Sequence, residues 1–342
     1  MKGLHLYRLS AISMAIALAY GFTGPAWGAD ATITQSGNGN DATVAQTNVN
    51  PGTAAAVTQV GDNNAASVSQ QNSAQPMYAT VNTTGNGNQA TINQTDSYYT
   101  SAGILQSGDN NNATINQHPQ DGMYSDGSTA TINQTNTNNN TGTIEQAGAL
   151  ASNATVNQTN NDFGAGNSAT VNQSTGVTLT ASITQNNTQG DNATVNVNQS
   201  GSGQSAAVKQ TNVSDGSSVD VSQSGTGQVA TVDQNYAYYS SASVTQTGDS
   251  NNADVNQSSG YSLSAVSNQS GTGNAATFNQ SGAYNEGNIL QSGSAHVATI
   301  NQSGVGTSSA HNTAAISQSG TANTATISQS GGGGNNASVT QN

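Results

Sequence analysis

The chain has 342 residues, of which 47 are Asn, 32 are Gln and 39 are Gly. Only 6% of the residues are charged, 4% are aromatic, and there is no cysteine. This composition excludes a disulfide-held domain, a cysteine-based metal site and a polytopic membrane protein. It also disfavours an ordinary globular enzyme, because the usual Leu/Phe-rich core cannot be built from it.

Residues 1–28 have the features of a secretory signal peptide. Lys2 and Arg8 form a basic start, the stretch from Leu9 to Tyr20 is mostly apolar, and small residues precede Ala29. A membrane anchor is disfavoured, because the apolar run is too short to cross ~30 Å of hydrocarbon. We therefore expect a secreted chain that is cleaved before Ala29.

Removal of this segment leaves a strongly acidic chain. Residues 29–342 contain one basic residue, Lys209, against all 16 acidic residues, for a formal charge of −15. No Lys/Arg cluster is available to bind phosphates or anionic lipid headgroups. We therefore expect neither a nucleic-acid partner nor membrane insertion.

From Ala31 onward one five-residue phrase recurs: a small residue, any residue, Val or Ile, any residue, and Gln. Ala31–Gln35 is the first copy, and Ala337–Gln341 is the last. Counting imperfect copies, in which Thr83 replaces the Gln once and Val266 lies one place early, there are 26. Alternation with a period of two and β-branched centres predict a β-strand at every copy.

The connections between copies also repeat. Six of them follow Q-x-G-x-x-N-x-A-x-x-x-Q in full, beginning at Gln35, Gln59, Gln106, Gln246, Gln269 and Gln318. Glycine two places after Gln permits the dihedral angles of a sharp reversal, and Asn tolerates them next best. The predicted turn glycines are Gly37, Gly61, Gly108, Gly248, Gly271 and Gly320.

Strands and turns at this spacing predict an all-β fold, a flattened parallel β-solenoid with two facing sheets and about 13 coils. The apolar interior of one coil is too small to offset chain entropy. Inward Gln and Asn side chains of successive coils would instead hydrogen bond to one another, as in cross-β assemblies. Since neither end carries a sequence resembling a cap, we expect self-matching edges and a fibre that grows end to end.

These residues resemble the curlin repeat of curli subunits, and the resemblance covers nearly all of residues 29–342. It implies a secreted subunit of functional amyloid that supports biofilm matrix, adhesion and surface colonisation on a Gram-negative cell. Implied partners are other copies, a nucleator subunit and an outer-membrane secretion channel. The fibre-stacking residues implied by the match are Gln35, Asn40, Gln46, Gln59, Asn64, Gln70, Gln106, Asn111, Gln117, Gln246, Asn251, Gln257, Gln269, Asn274, Gln280, Gln318, Asn323 and Gln329.

The pattern divides the chain into a signal peptide (1–28), regular repeats (29–117), irregular repeats (118–198) and regular repeats (199–342). Strand pairing within 118–198 cannot be assigned from the sequence. An odd number of strands separates the two regular blocks.

Other functions are less well supported. His118, His296 and His311 are far apart in sequence, and His296 occupies an Asn position of the repeat, so we expect no catalytic centre. Asp62, Asp109 and Asp249 follow corner glycines and are better explained as turn residues than as calcium ligands, so no metal or cofactor is expected. A monomeric ice-binding solenoid, a nucleator of another subunit's fibre and an adhesin stalk remain alternatives.

Overall fold

The structure is a computed structural model that describes residues 29–120, 125–160, 166–188, 192–213 and 216–342. The described residues form 26 β-strands and no helix. In chain order the strands are β1 (Asp30–Ser36), β2 (Asp41–Val49), β3 (Ala54–Val60), β4 (Ala65–Ser73), β5 (Tyr78–Thr84), β6 (Gln89–Thr95), β7 (Ser101–Ser107), β8 (Asn112–His118), β9 (Thr129–Thr135), β10 (Thr141–Leu150), β11 (Asn153–Thr159), β12 (Ser168–Val177), β13 (Thr180–Asn186), β14 (Thr194–Ser202), β15 (Ser205–Thr211), β16 (Ser218–Thr226), β17 (Val229–Tyr238), β18 (Ser241–Asp249), β19 (Asn252–Tyr261), β20 (Ser264–Thr272), β21 (Ala275–Ala283), β22 (Asn285–Ser294), β23 (Val297–Gln302), β24 (Asn312–Thr321), β25 (Thr324–Gln329) and β26 (Asn336–Gln341).

The strands alternate between two parallel sheets. The odd-numbered strands form one 13-stranded sheet in chain order, and the even-numbered strands form the other. Each coil therefore contributes one strand to each sheet, which confirms the predicted two-sheet parallel β-solenoid. At ~4.8 Å between strands, 13 coils extend over roughly 60 Å.

The interior lies between the two sheets and is built from the alternating residues of the repeated phrase. In β8 the burial alternates so that Ala113, Ile115 and Gln117 are buried while their neighbours are not. One continuous cluster of Ala, Val and Ile runs the length of the molecule. The period of two in the sequence therefore identified the inward face correctly.

Some core positions depart from the pattern, and the clearest lie in β20, β21 and β22. Val266 points outward in β20, and Ser267 takes the buried position that Val or Ile fills elsewhere. In β21 the larger Phe278 fills that position, and Gly287 of β22 replaces the Ala that faces it. The extra volume on one sheet is thus offset by a missing methyl group on the other.

Strand pairing continues without interruption through the irregular block. β8 pairs with β10, β10 with β12, and β9 with β11 and β11 with β13, all parallel. Gln117, Gln146 and Gln173 remain in register although 29 and 27 residues separate them. The extra residues lie in the corners, so they do not disturb the sheets. The proposed boundaries after 117 and 198 remain predictions.

The signal-peptide prediction concerns residues 1–28, which lie outside the described residues. Within the described part of the chain, no helix is both long and apolar enough to cross a bilayer.

Replacement of Gly287 by Ala tests the fit between the sheets. A Cβ at Gly287 would lie 2.9 Å from Cδ1 and Cε1 of Phe278, so we expect a destabilisation of about 1–3 kcal/mol. Adding Phe278→Val to Gly287→Ala should restore much of that loss. The control is Gly103→Ala in β7, where nothing lies within 4 Å of a new Cβ. Denaturant unfolding of these three variants and of Phe278→Val alone measures the coupling, and equal effects of the two glycine substitutions would contradict this packing account.

Candidate functional site

Parallel register places the Gln of each repeated phrase directly beside the Gln of the next coil, giving one column of glutamines in each sheet. In the even-numbered sheet, Gln46 donates from Nε2 to Oε1 of Gln70 at 2.8 Å. The same bond joins all 13 glutamines of that sheet, through Gln341, at 2.7–3.0 Å. In the odd-numbered sheet, 10 of 12 steps are bonded at 2.7–2.9 Å.

The second Nε2 hydrogen of these glutamines bridges the two sheets. Gln70 in β4 donates to the backbone carbonyl of Ala54 in β3 at 3.3 Å, and Gln246 in β18 donates to Val229 in β17 at 2.9 Å. Because a carbonyl oxygen can only accept, this contact fixes which side of each amide is nitrogen. The glutamines therefore hold successive coils together and also hold one sheet to the other.

All of these amide bonds run in the same direction along the solenoid. The donor always belongs to the earlier coil and the acceptor to the later one. At the C-terminal end, Gln329 and Gln341 use one N–H on the carbonyls of Thr313 and Thr324, which leaves each with a second N–H directed past the last coil. At the N-terminal end, Gln35 and Gln46 have no donor to Oε1 among the described residues. The two ends are therefore chemically complementary.

Asn residues form further columns at the tight corners. Asn40 donates from Nδ2 to the carbonyls of Ser36, in its own corner, and Gly61, in the next coil, at 3.2 and 2.7 Å. Its Oδ1 accepts from Nδ2 of Asn64 at 3.1 Å. Gly37 has φ +117°, and a Cβ there would lie 1.8 Å from the oxygen of Gly61. Glycine is therefore required at these corners for two reasons. Its positive φ permits the turn, and the absence of a Cβ lets the corner of the next coil stack closely on it.

The predicted fibre-stacking residues occupy four columns. Those of the odd-numbered sheet are Gln35, Gln59, Gln106, Gln257, Gln280 and Gln329. Those of the even-numbered sheet are Gln46, Gln70, Gln117, Gln246, Gln269 and Gln318. Asn40, Asn64 and Asn111 lie on the edge where odd strands lead to even strands, and Asn251, Asn274 and Asn323 lie on the opposite edge.

The tight corner therefore changes edge between the two halves of the molecule. Gly37, Gly61 and Gly108 turn on the first edge, whereas Gly248, Gly271 and Gly320 turn on the second, all with positive φ. The odd number of strands in the irregular block produces this exchange. Each half consequently has its longer corners on the edge opposite to its tight ones.

The strict repeat window missed half of the glutamine columns. The additional members are Gln94, Gln134, Gln146, Gln158, Gln173, Gln185, Gln199, Gln210, Gln223, Gln234, Gln291, Gln302 and Gln341. Each is the last residue of a five-residue phrase, so the phrase alone was the sufficient signal. Gln204, Gln228 and His296 take the corner position of Asn, each contacting the carbonyl four residues earlier.

Two of the three aspartates considered as calcium ligands, Asp62 and Asp109, make side-chain contacts within the corners. The carboxylates of Asp62 and Asp109 accept hydrogen bonds from the backbone N–H groups of Asn38 and Asn86, each at 2.7 Å, in the preceding coil. No group of three or more His, Asp or Glu side chains suited to a metal occurs in the described ranges.

One fault interrupts the glutamine columns. Thr83 of β5 occupies a Gln position between Gln59 and Gln106, and its side chain is too short to reach either. As a result, Oγ1 of Thr83 and Oε1 of Gln106 are both buried without a hydrogen-bond partner. Unpaired buried polar atoms of this kind are costly.

Replacing Thr83 by Gln should complete the column. The new amide would accept from Gln59 and donate to Gln106, and we expect a stabilisation of about 1–3 kcal/mol. Thr84→Gln is the matched control, because Thr84 is exposed and points outward. The denaturation midpoint of the folded chain reports the stability of both variants. Equal midpoints would show that the unpaired atoms at Thr83 and Gln106 do not lower stability.

A family model for the curlin associated repeat matches residues 190–225, 214–248 and 311–342. No curated protein matches the chain significantly. The three matches fall on coils whose glutamine columns and tight corners are described above. They confirm the resemblance to curlin associated repeats at these three places, which fold as part of a two-sheet parallel β-solenoid.

Proposed function

We propose that this chain is a structural subunit that polymerises end to end into an extracellular amyloid fibre. The observation that carries this proposal is the single direction of the glutamine hydrogen bonds, which gives each glutamine column one donor end and one acceptor end. Curlin associated repeats support the same function. Because most strands bury a glutamine beside two apolar residues, a new coil is favourable only on a matching coil.

The junction follows from the sheet order. At the C-terminal end of the described solenoid, β25 and β26 each pair with one neighbour, and at the other end so do β1 and β2. An incoming copy would place its β1 beside β25 and its β2 beside β26, in parallel. The free N–H of Gln329 would then donate to Gln35 of the incoming copy, and that of Gln341 to Gln46. Both sheets and both columns would continue across the junction.

The biological setting is proposed from the repeats and from the sequence of residues 1–28. The chain would be secreted and would form fibres on a Gram-negative cell surface, where they support biofilm matrix, adhesion and colonisation. Its partners would be other copies of itself, a nucleator subunit and an outer-membrane secretion channel. It would be no enzyme and would need no cofactor.

Fibre formation by residues 29–342 is the first test. Thioflavin T fluorescence, electron microscopy and fibre diffraction should show fibres with a meridional reflection near ~4.7 Å. A chain that stays monomeric under all tested conditions would refute the proposal.

A donor-end variant tests the junction itself. Gln329→Leu with Gln341→Leu leaves Oε1 of an incoming Gln35 and Gln46 without a donor. We expect this to cost ~2 kcal/mol, which weakens the binding of the incoming copy roughly thirtyfold. Its own acceptor end is intact, so it should add to wild-type fibres and then stop their growth. Small amounts of the variant should therefore shorten wild-type fibres, as measured by length distributions from seeded growth.

The matched control places the same leucines on the outer face. Ser328→Leu with Thr340→Leu changes the exposed neighbours of those glutamines and leaves both columns intact. This control should not terminate growth. Equal termination by the two double variants would assign the effect to added apolar surface and not to the amide junction.

A further inference from the structure

Four aromatic rings stand in a row along one edge of the C-terminal half. Tyr239, Tyr261, Tyr284 and His311 belong to four successive coils, on the edge where odd strands lead to even strands. Their ring centroids are 5.2, 5.5 and 5.4 Å apart in turn. This row, which we call the tyrosine rank, takes its spacing from the stacking of the coils.

A surface groove lies beside the tyrosine rank, along its first three coils. It has a volume of about 490 Å³ and is lined by Tyr236, Tyr238 and Tyr261, with Ser259, Gly260 and Gly282 among its other residues. The three tyrosines are 50, 37 and 42% exposed. No charged side chain lines the groove. Small residues beside aromatic rings leave room for a flat ligand to approach both the rings and the backbone.

Tyr236 occupies a backbone position that tyrosine disfavours. Two residues after the column glutamine, Asn160, Asn187 and Asn212 adopt φ of 54, 52 and 51° in the preceding coils of this edge. Tyr236 adopts φ 51° at the same place in the next coil. Asn tolerates this left-handed region, whereas Tyr does so at a cost. Tyr236 keeps this unfavourable backbone conformation although its ring is exposed, and this points to a function of the ring.

The surrounding backbone holds these rings in place. Ser262 donates from its N–H to the carbonyl of Tyr238 at 2.8 Å, and Tyr284 donates to the carbonyl of Tyr261 at 2.9 Å. Inside the same corners, Ala237 and Leu263 are buried and fill the space beneath the rings. A ligand would therefore bind a preformed surface, and little conformational entropy would be lost on binding.

We propose that this groove binds a neutral polysaccharide, with sugar rings of an extended β-linked chain stacked on its exposed tyrosines. Tyrosine offers an apolar ring face to the C–H face of a sugar and a hydroxyl to its polar edge. The charge balance favours a neutral polymer over an acidic one, because residues 29–342 carry −15 and their one base, Lys209, lies 3.5 Å from Asp233.

Binding is tested on the folded chain (residues 29–342) with a β-1,4-linked glucose hexasaccharide as probe and an oligogalacturonate of equal length as the acidic comparison. The single Trp, Trp27, lies outside residues 29–342, so tyrosine dominates the fluorescence, and five of the nine tyrosines in these residues belong to the groove or the rank. Tyr236→Asn restores the residue found in the preceding coils and should fold at least as well as the parent. Tyr261→Ala removes the ring shared by the groove and the rank.

We expect each substitution to weaken hexasaccharide binding about fivefold, since an aromatic contact contributes on the order of 1 kcal/mol. Tyr78→Ala, which removes an exposed ring on β5 far from the groove, should leave binding unchanged. Equal binding by all variants, preference for the acidic oligosaccharide, or no binding of the hexasaccharide would overturn the proposal. Loss of lateral fibre bundling in Tyr261→Ala without glycan binding would assign the groove to a second copy and would also overturn it. The assay needs no fibre, so its failure is separate from failure of polymerisation.

Discussion

The fold depends on how a buried primary amide can be satisfied. A column glutamine such as Gln70 has two N–H donors, of which one goes to a backbone carbonyl across the core and the other to the glutamine one coil later. The second contact requires an identical neighbour at the strand spacing. This explains why the sheets stay in register through the glutamines while corner lengths vary. The two shifts in register, after Ser174 and Ser258, both fall beyond the glutamine.

Much of this architecture could be predicted because it depends on the order of residues within each five-residue phrase. The alternation within Ala31–Gln35 and its copies fixes which side chains face inward, and equal phrases stack on equal phrases. The pairing in residues 118–198 could not be predicted from the repeat window, because the window includes the corners and the corners vary. The structure shows that corner length does not matter to pairing, provided that the phrase itself is retained.

Other features depend on contacts that a single sequence does not display. The direction of the amide bonds is set by carbonyls such as that of Ala54, which lie in the opposite sheet. The orphaned oxygen of Gln106 follows from a threonine one coil away. Likewise, Tyr239, Tyr261 and Tyr284 are 22 and 23 residues apart, and only the coil length brings their rings together. The proposed assembly and the proposed glycan surface thus arise from the same stacking of coils.

The exchange of tight corners between the two edges has a consequence for the appearance of an assembled filament. In a polymer of copies joined end to end, the longer corners would lie on one edge in the first half of each molecule and on the opposite edge in the second half. This pattern would recur with a period of roughly 60 Å. The tyrosines would then appear as isolated stripes on one flank and not as an unbroken line. Decoration along such a filament would consequently be intermittent, with smooth stretches between the stripes.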